Sequence, residues 1–360
     1  MEYNISTWPF FFTPWDLLIG CSEFNVSKQY TSKLLCDVSN IAGVLCAYLL
    51  PIITLFNILA NIITCVIFLY GFKHKTRQMV YLGCFSIVDI FYCFILSILY
   101  YIPSRGIPYA SNAAFYFFID YQSTFSCIAY KYLFSLACSF RGNMLVLTML
   151  DKFLSIEIPI RYGKLPTRYA WYFILSTFII THAMILPATV QFTKVFFGGK
   201  MACWLKTLTL GWSLYYGLIS DFCLIQTTAN GILSLMLLIK VYLWLRRRRK
   251  MTHDKSDENS KELSACIILL SVSSLNVLSS IPGEVAYFLR AFVAFADDPD
   301  VALLGLRTAL ALRDIFWCLM PLQGIFNTIV YMTRLRKYRE SFISIFTCKK
   351  LNTFMSDISE

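Results

Sequence analysis

Residues 41–71 read IAGVLCAYLLPIITLFNILANIITCVIFLYG, a run of 31 residues without a charged side chain. An α-helix rises about 1.5 Å per residue and the hydrocarbon core of a bilayer is about 30 Å thick, so this run is long enough to cross it. Only 15% of the chain is charged and 58% is hydrophobic, whereas soluble domains average about 25% charged residues. The composition therefore predicts a membrane protein.

Six further apolar blocks of spanning length follow along the chain, at 78–103, 124–150, 169–191, 208–245, 262–294 and 302–332. They predict an all-α membrane protein, a seven-transmembrane helix bundle that occupies residues 41–332. Residues 1–40 then form an N-terminal segment and residues 333–360 a tail. No basic residue precedes the first apolar stretch, and Pro9 and Pro14 interrupt it, so we expect no cleaved signal peptide.

The basic residues set the expected orientation of the bundle. The net charge is +11, but Lys and Arg cluster in the short connections after blocks 1, 3, 5 and 7, including RRRRK at 246–250. Such clusters are typical of cytoplasmic loops, not of a nucleic-acid surface. The opposite side carries the acidic loop ADDPD at 296–300. The sequence predicts a multi-pass plasma membrane protein with an extracellular N-terminus and a cytoplasmic C-terminus.

Both ends carry candidate modification sites. Asn4 and Asn25 lie in Asn-x-Ser glycosylation sequons of the N-terminal segment, where Cys21 and Cys36 can also form a disulfide. After block 7, the basic amphipathic stretch MTRLRKYRESFISIF at 332–346 predicts a short helix lying on the inner leaflet. Cys348 follows it and is a candidate for palmitoylation, with a free thiol as the alternative.

Polar residues, a cysteine, a tryptophan and a proline occur at particular positions in different spans. Their types, order and spacing match a pattern known from one family. The residues are Asn61 in LANIITCVIF, Asp89 in FSIVDIF, Cys127 placed 24 residues before Asp151, Trp171, Pro282 and NTIVY at 327–331. The chain resembles a rhodopsin-like (class A) G-protein-coupled receptor over nearly its whole length. The resemblance implies a Cys127–Cys203 disulfide between the third helix and the second outer loop. It also implies an extracellular ligand, and a heterotrimeric G protein as the intracellular partner.

The motifs that the resemblance links to activation depart from the family pattern. The residues concerned are Asp151, Lys152, Phe153, Pro282, Asn327 and Tyr331. The family's Asp-Arg-Tyr is here Asp151-Lys152-Phe153, and a lysine cannot reproduce the planar fork of an arginine. Pro282 should kink or hinge the sixth helix. Asp151 and Lys152 are expected to restrain the inactive bundle at the cytoplasmic end of the third helix.

A second departure lies in the middle of the third helix. Arg141 is ten residues before Asp151, about 15 Å along the helix, where related receptors have a small polar residue that helps the second-helix aspartate to hold sodium. A buried charge in a bilayer requires a partner. We expect Arg141 to pair with Asp89 and to form a core polar network with Asn61. The alternative is that Arg141 snorkels or pairs elsewhere.

The third helix also bears on the ligand. Lys131, Phe134, Cys138 and Arg141 share one face of it. Amine receptors of this family carry an aspartate where Phe134 stands, so an aminergic ligand is disfavoured. No lysine occurs in block 7, which argues against retinal attachment.

Charged and aromatic residues in the outer half of blocks 6 and 7 suggest a peptide ligand. They are Glu284, Arg290, Arg307, Arg313, Asp314 and Trp317, with Gln323 deeper in the bundle. A pocket with both charge signs suits the backbone and termini of a peptide, such as a neuropeptide. The alternative is that these residues pair among themselves and hold helices together.

Other functional classes fit the sequence less well. A transporter would show internal repeats with broken helices, and residues 41–190 and 208–332 do not repeat one another. Three histidines and no metal-spaced cluster or nucleophile motif disfavour an enzyme, a metal site or a cofactor. The strongest alternative is a receptor-like protein that binds a ligand or partner without coupling to G proteins.

Overall fold

The computed structural model describes twelve ranges of the chain. These are residues 15–18, 21, 32–72, 75–162, 165–197, 200–206, 211–212, 215, 218–219, 223–248, 256–293 and 299–347. Seven helices within them are long and apolar enough to cross a membrane. The prediction of an all-α, seven-helix membrane protein is therefore confirmed.

The helices follow the order of the apolar blocks. They are α1 (Lys33–Tyr70), α2 (Arg77–Ala110), α3 (Thr124–Glu157), α4 (Arg168–Thr189), α5 (Leu224–Arg248), α6 (Ser256–Val293), α7 (Pro299–Leu319 and Leu322–Arg334) and α8 (Arg336–Thr347). Between α4 and α5, β1 (Phe192–Phe197) and β2 (Lys200–Leu205) form an antiparallel hairpin. The helix α8 lies where the sequence predicts an amphipathic helix after the seventh span.

The helix ends differ from the apolar blocks. The first helix starts at Lys33, eight residues before the predicted boundary at residue 41, because the Ser32 side chain accepts a hydrogen bond from the Leu35 amide and caps it. The helix α2 passes the predicted end at 103 within a π-helical segment, Phe94–Gly106, that contains Pro103, and it ends with an α-helical turn at Ala110. Residues 107–110, which lie between two of the predicted blocks, are therefore helical.

The third helix lies at the centre of the bundle, in contact with α2, α4, α5 and α6. Tyr92, Tyr130 and Phe134 pack together near the end of the bundle that carries the hairpin, called the hairpin end below. Phe68 and Met144 belong to a second apolar cluster. Many large apolar side chains of the described helices are exposed on their outer faces, as expected where lipid replaces water.

Candidate functional site

Arg141 forms the centre of a polar network inside the bundle. Its Nε donates to Asp89 Oδ1 at 2.6 Å, its Nη1 to Asn276 Oδ1 at 3.1 Å, and its Nη2 to Gln323 Oε1. Arg141 is 5% exposed and Asp89 1%. The pair predicted from the sequence is therefore present, and the guanidinium joins α2, α3, α6 and α7.

The second oxygen of Asp89 extends the network to α1. Asn61 donates to Asp89 Oδ2 at 2.9 Å and also to the side chain of Asn57. Gly324 of α7 lies against this cluster, and a Cβ atom there would come within 2.5 Å of Asn61 Nδ2 and 2.7 Å of Asp89 Oδ2. Only a glycine lets α7 approach the polar groups of α1 and α2 this closely.

Aromatic rings complete the surroundings of the Arg141 guanidinium. Its central carbon lies 4.7 Å from the centroid of the Tyr92 ring and 5.8 Å from that of Phe85. A desolvated cation gains from such contacts, and its ionic partner lowers the cost of burying the charge. The Nε atom of Arg141 thus contacts the Asp89 carboxylate, where the resemblance would place a sodium ion.

A cavity of about 40 Å³ lies beside Arg141 and Asn276. Three of the predicted ligand-binding residues line it: Cys138 of α3, Glu284 of α6 and Trp317 of α7. Phe134 does not line it but packs against Trp317, with ring centroids 5.6 Å apart. The structure therefore brings part of the predicted ligand site together around one cavity.

The predicted ligand residues Arg313 and Asp314 lie in a separate group of charges. Asp314 pairs with Arg105 of α2 at 3.2 Å and with Arg313 at 3.2 Å, and it accepts a hydrogen bond from the Tyr101 hydroxyl at 3.3 Å. Arg105 also pairs with Asp16 of the N-terminal segment. This arrangement matches the alternative in which these charges join helices.

Lys131 lies at the hairpin. Its Nζ is 5.9 Å from the centroid of the Tyr130 ring and 5.7 Å from that of Phe192 in β1. Asp120, in the connection between α2 and α3, is buried, and burial raises the pKa of its carboxyl although the charge of Lys131 opposes this. Lys131 is thus placed against the wall formed by the hairpin.

Two disulfides hold this end of the bundle together. Cys127 at the start of α3 is bonded to Cys203 in β2, as the resemblance implies. Cys21 is bonded to Cys36 of α1, the pairing that the sequence left open. One bridge fixes the N-terminal segment to the start of α1, and the other fixes the hairpin to the start of α3.

At the other end of α3, Asp151 contacts α2 and the following connection. Its Oδ1 lies 3.0 Å from Arg77 Nε and accepts hydrogen bonds from the Tyr162 hydroxyl at 3.0 Å and the Tyr81 hydroxyl at 3.3 Å. Burial, and then the charge of Asp151, raises the pKa of Tyr162 to about 12. Arg77, which the sequence placed among loop bases, is the ionic partner of Asp151.

The helix α3 continues past Asp151 and Lys152 to Glu157, so these two residues lie within its last two turns and not at its last residue. Lys152 is 9% exposed and forms no ion pair within the described ranges. Phe153 is half-buried. The helix instead ends near a pair between Glu157 and Lys240 of α5 at 2.6 Å, in which both side chains are partly exposed.

The remaining activation residues lie inside helices. Pro282 is within α6, and Asn327 is buried with an Oδ1 atom that accepts no hydrogen bond in the described part of the chain. Tyr331 packs against Phe68 and against Tyr338 of α8, with ring centroids 5.1 and 5.6 Å apart. Asn327 and Tyr331 therefore face the bundle interior.

Some predicted residues are not part of the described site. Trp171 is described but half of it is exposed on α4. The side chain of Arg290, the sequons at Asn4 and Asn25, and Cys348 lie outside the described residues.

The sequence argument missed Asn276, Arg77 and Arg105. Asn276 is a polar residue in the apolar block 262–294, the same signal that identified Arg141, so it was open to the same reasoning. Arg77 and Arg105 stand at the ends of apolar blocks, where a base is expected in any case. Their partners depend on how the helices pack.

Neither a scan against protein-family models nor a search of curated proteins finds a match to this chain.

Proposed function

We propose that this chain is a rhodopsin-like G-protein-coupled receptor in the plasma membrane, which binds an extracellular ligand and activates heterotrimeric G proteins. The observation that carries the proposal is the Arg141 network, since Arg141, Asp89 and Gln323 connect α3, α2 and α7 inside an apolar seven-helix bundle. Buried charges are costly in a bilayer and are retained where they serve function. The choice of this family rests on the motifs of the sequence, which occur in the same order as in that family.

The hairpin end is the proposed extracellular side. Its two disulfides suit an oxidising compartment. The basic residues of the sequence cluster at the other end, which is then cytoplasmic. In this orientation the cavity beside Arg141 belongs to the ligand-binding half of the bundle. Asp151 and α8 lie at the inner leaflet.

The mechanism that we propose is a displacement of α6. Asn276 links α6 to the Arg141 guanidinium, and the cavity lies directly beside this contact. A ligand that binds better when the contact is broken shifts the equilibrium toward the displaced helix. Pro282 removes one backbone hydrogen bond of α6 at this level and gives it a point of flexure. A peptide is the favoured ligand, because Lys131 at the hairpin end and Glu284 at the cavity have opposite charges and form no ion pair within the described ranges.

One observation favours the alternative of a receptor-like protein without G-protein coupling. Lys152 replaces the family's arginine and is buried, so the chain lacks the guanidinium that the family presents at this place. An arginine and a lysine differ in donor geometry although they share a charge.

A test that needs no known ligand is basal nucleotide exchange on each class of Gα in membranes that contain the full chain. Asn276→Leu should raise basal exchange several-fold, because it removes the contact between α6 and Arg141. Asn143→Leu is the matched control, since Asn143 is an intramembrane asparagine that bonds Thr181 of α4 at 2.8 Å outside the network.

Lys152→Arg is measured alongside, with a peptide library read out by calcium and cAMP. Absence of exchange and of any response in all four forms, at equal surface levels, would establish the non-coupling alternative.

A further inference from the structure

Glu284 is an acidic side chain in the membrane-spanning part of α6, and its carboxylate is only partly satisfied. It lies within the span Leu263–Val285 and lines the cavity beside Arg141. Thr227 of α5 hydrogen bonds to the carboxylate. One carboxylate oxygen, Oε1, is buried and accepts no hydrogen bond in the ranges that the structure describes. A buried oxygen of this kind is costly unless something binds to it.

The charges around the cavity do not balance. Arg141 also lines it, but its Nε, Nη1 and Nη2 atoms already donate to Asp89, Asn276 and Gln323. Asp89 pairs with Arg141, and Glu284 forms no ion pair with the described residues that line the cavity. No lysine or histidine is among the described residues that line the cavity. An intramembrane acid without a partner calls for a cation from outside the chain.

The size of the cavity limits what that cation is. Pockets for drug-sized ligands have volumes of roughly 300–1,000 Å³, whereas this cavity holds about 40 Å³, a few times the roughly 10–15 Å³ that admits one water. It therefore fits one small polar head group. Tyr92, Phe316 and Trp317 also line it, and aromatic faces stabilise a desolvated cation.

We propose that Glu284 binds the cationic group of the ligand, an ammonium or guanidinium whose apolar or peptide remainder lies toward the hairpin end. This inference rests on the proposed ligand-binding function and narrows its ligand class. The acid that pairs with the cation lies on α6. The position on α3 at which amine receptors carry an aspartate is occupied here by Phe134. The bound cation donates to Oε1 and sits next to Asn276, the residue that links α6 to Arg141.

The first experiment uses ethylammonium as a probe of the purified full chain. A thiol-reactive fluorophore reports unfolding, since eight free cysteines lie in the described part of the bundle. A probe with three non-hydrogen atoms binds no tighter than about millimolar, so it is used at about 50 mM against equimolar NaCl. We expect the unfolding midpoint to rise by about 3 °C. Glu284→Gln should abolish the rise and Glu340→Gln, an exposed glutamate of α8, should preserve it.

The second experiment supplies the cation from the chain itself. Met320 lines the same cavity and matches lysine in length, so Met320→Lys places an ammonium there. It should leave the midpoint near that of the native chain when Glu284 is present. In the Glu284→Gln background it should lower the midpoint by about 4 °C or more, because the ammonium then faces only Arg141.

These readouts measure binding and stability, so they are independent of G-protein coupling. Equal ethylammonium shifts in the native chain and Glu284→Gln, no shift in either, or an equal loss from Met320→Lys in both backgrounds would overturn the proposal. A Glu284-dependent shift without any nucleotide exchange would keep the cation site and reject the coupling function.

Discussion

Replacing Asp89 by asparagine tests the central ion pair, because it removes the charge and keeps the size of the side chain. Arg141 would remain almost fully buried, with Asn276 and Gln323 as its neutral acceptors. Removing one partner of a buried pair costs about 3–5 kcal/mol, a large share of the roughly 5–15 kcal/mol by which native proteins are stable. We expect Asp89→Asn to lower surface expression sharply and the unfolding midpoint by about 10 °C.

The assay compares Asp89→Asn with Arg141→Gln and with the double variant, by surface labelling in cells and by thermal unfolding of purified protein. Exchanging both charges of this pair for neutral groups leaves neither side chain as an unpaired buried charge. Such double exchanges often change the stability of a protein only slightly. The double variant should therefore be more stable than Asp89→Asn alone, with a coupling of a few kcal/mol in the double-mutant cycle.

Sodium provides an independent readout of the same geometry. Since the guanidinium already contacts Asp89, the native chain should unfold at the same temperature in NaCl and in KCl at equal ionic strength. The reasoning is refuted if Asp89→Asn reaches the surface at native levels with an unchanged midpoint, or if sodium specifically stabilises the native chain.

Three further predictions concern other parts of the bundle. Burial raises the pKa of Asp120, so the folded chain binds this proton more tightly and loses stability as pH rises from the unfolded toward the folded pKa. Asp120→Asn should raise the unfolding midpoint near pH 7 and have a smaller effect in acid. Gly324→Ala should cost about 1–3 kcal/mol in thermal unfolding because its Cβ meets the Asp89 carboxylate, whereas Gly231→Ala, with open space around it, should be neutral or stabilising. Arg77→Gln should lower the midpoint more than Arg77→Lys, which keeps the charge beside Asp151, and equal midpoints would contradict the pairing.

The number of spans was predictable because crossing a bilayer requires about 20 apolar residues, and hydropathy measures this requirement directly. It does not measure where a helix starts. The first helix begins at Lys33 because Ser32 caps it, and the stretch KLLCDVSN that follows is too polar to be part of an apolar block. Block limits therefore indicate the hydrocarbon-crossing part of each helix, and capping decides the rest.

The Asp89–Arg141 pair was predictable for a similar reason. A charge in the middle of a span can pair only with the few other polar groups at the same depth. Among the apolar blocks, α2 contains one acid near Arg141. Asp314 shows the opposite case. It was expected in a ligand pocket, yet it is bound by Arg105 of α2 and Arg313. Near the ends of spans there are many candidate charges, and only the packing of the helices selects among them.

The ligand argument from α3 concerns one position of that helix and does not extend to the other helices that line the cavity. Phe134 packs against Trp317, so this position of α3 supplies no acid. Glu284 reaches the same cavity from α6. A small cationic head group and a peptide are compatible, since a lysine, an arginine or a free N-terminus supplies such a group.

The replacement of arginine by Lys152 takes on a different meaning in this bundle. Asp151 forms an ion pair with Arg77 of α2. This pair therefore joins α2 to α3 and does not involve α6. The contact that holds α6 to the centre is instead the bond between Arg141 and Asn276. If displacement of α6 is the activating step, Asn276 controls it more directly than Lys152 does. Lys152→Arg should then change coupling to the G protein without changing the basal position of α6, whereas Asn276→Leu should shift α6 and thereby raise basal exchange.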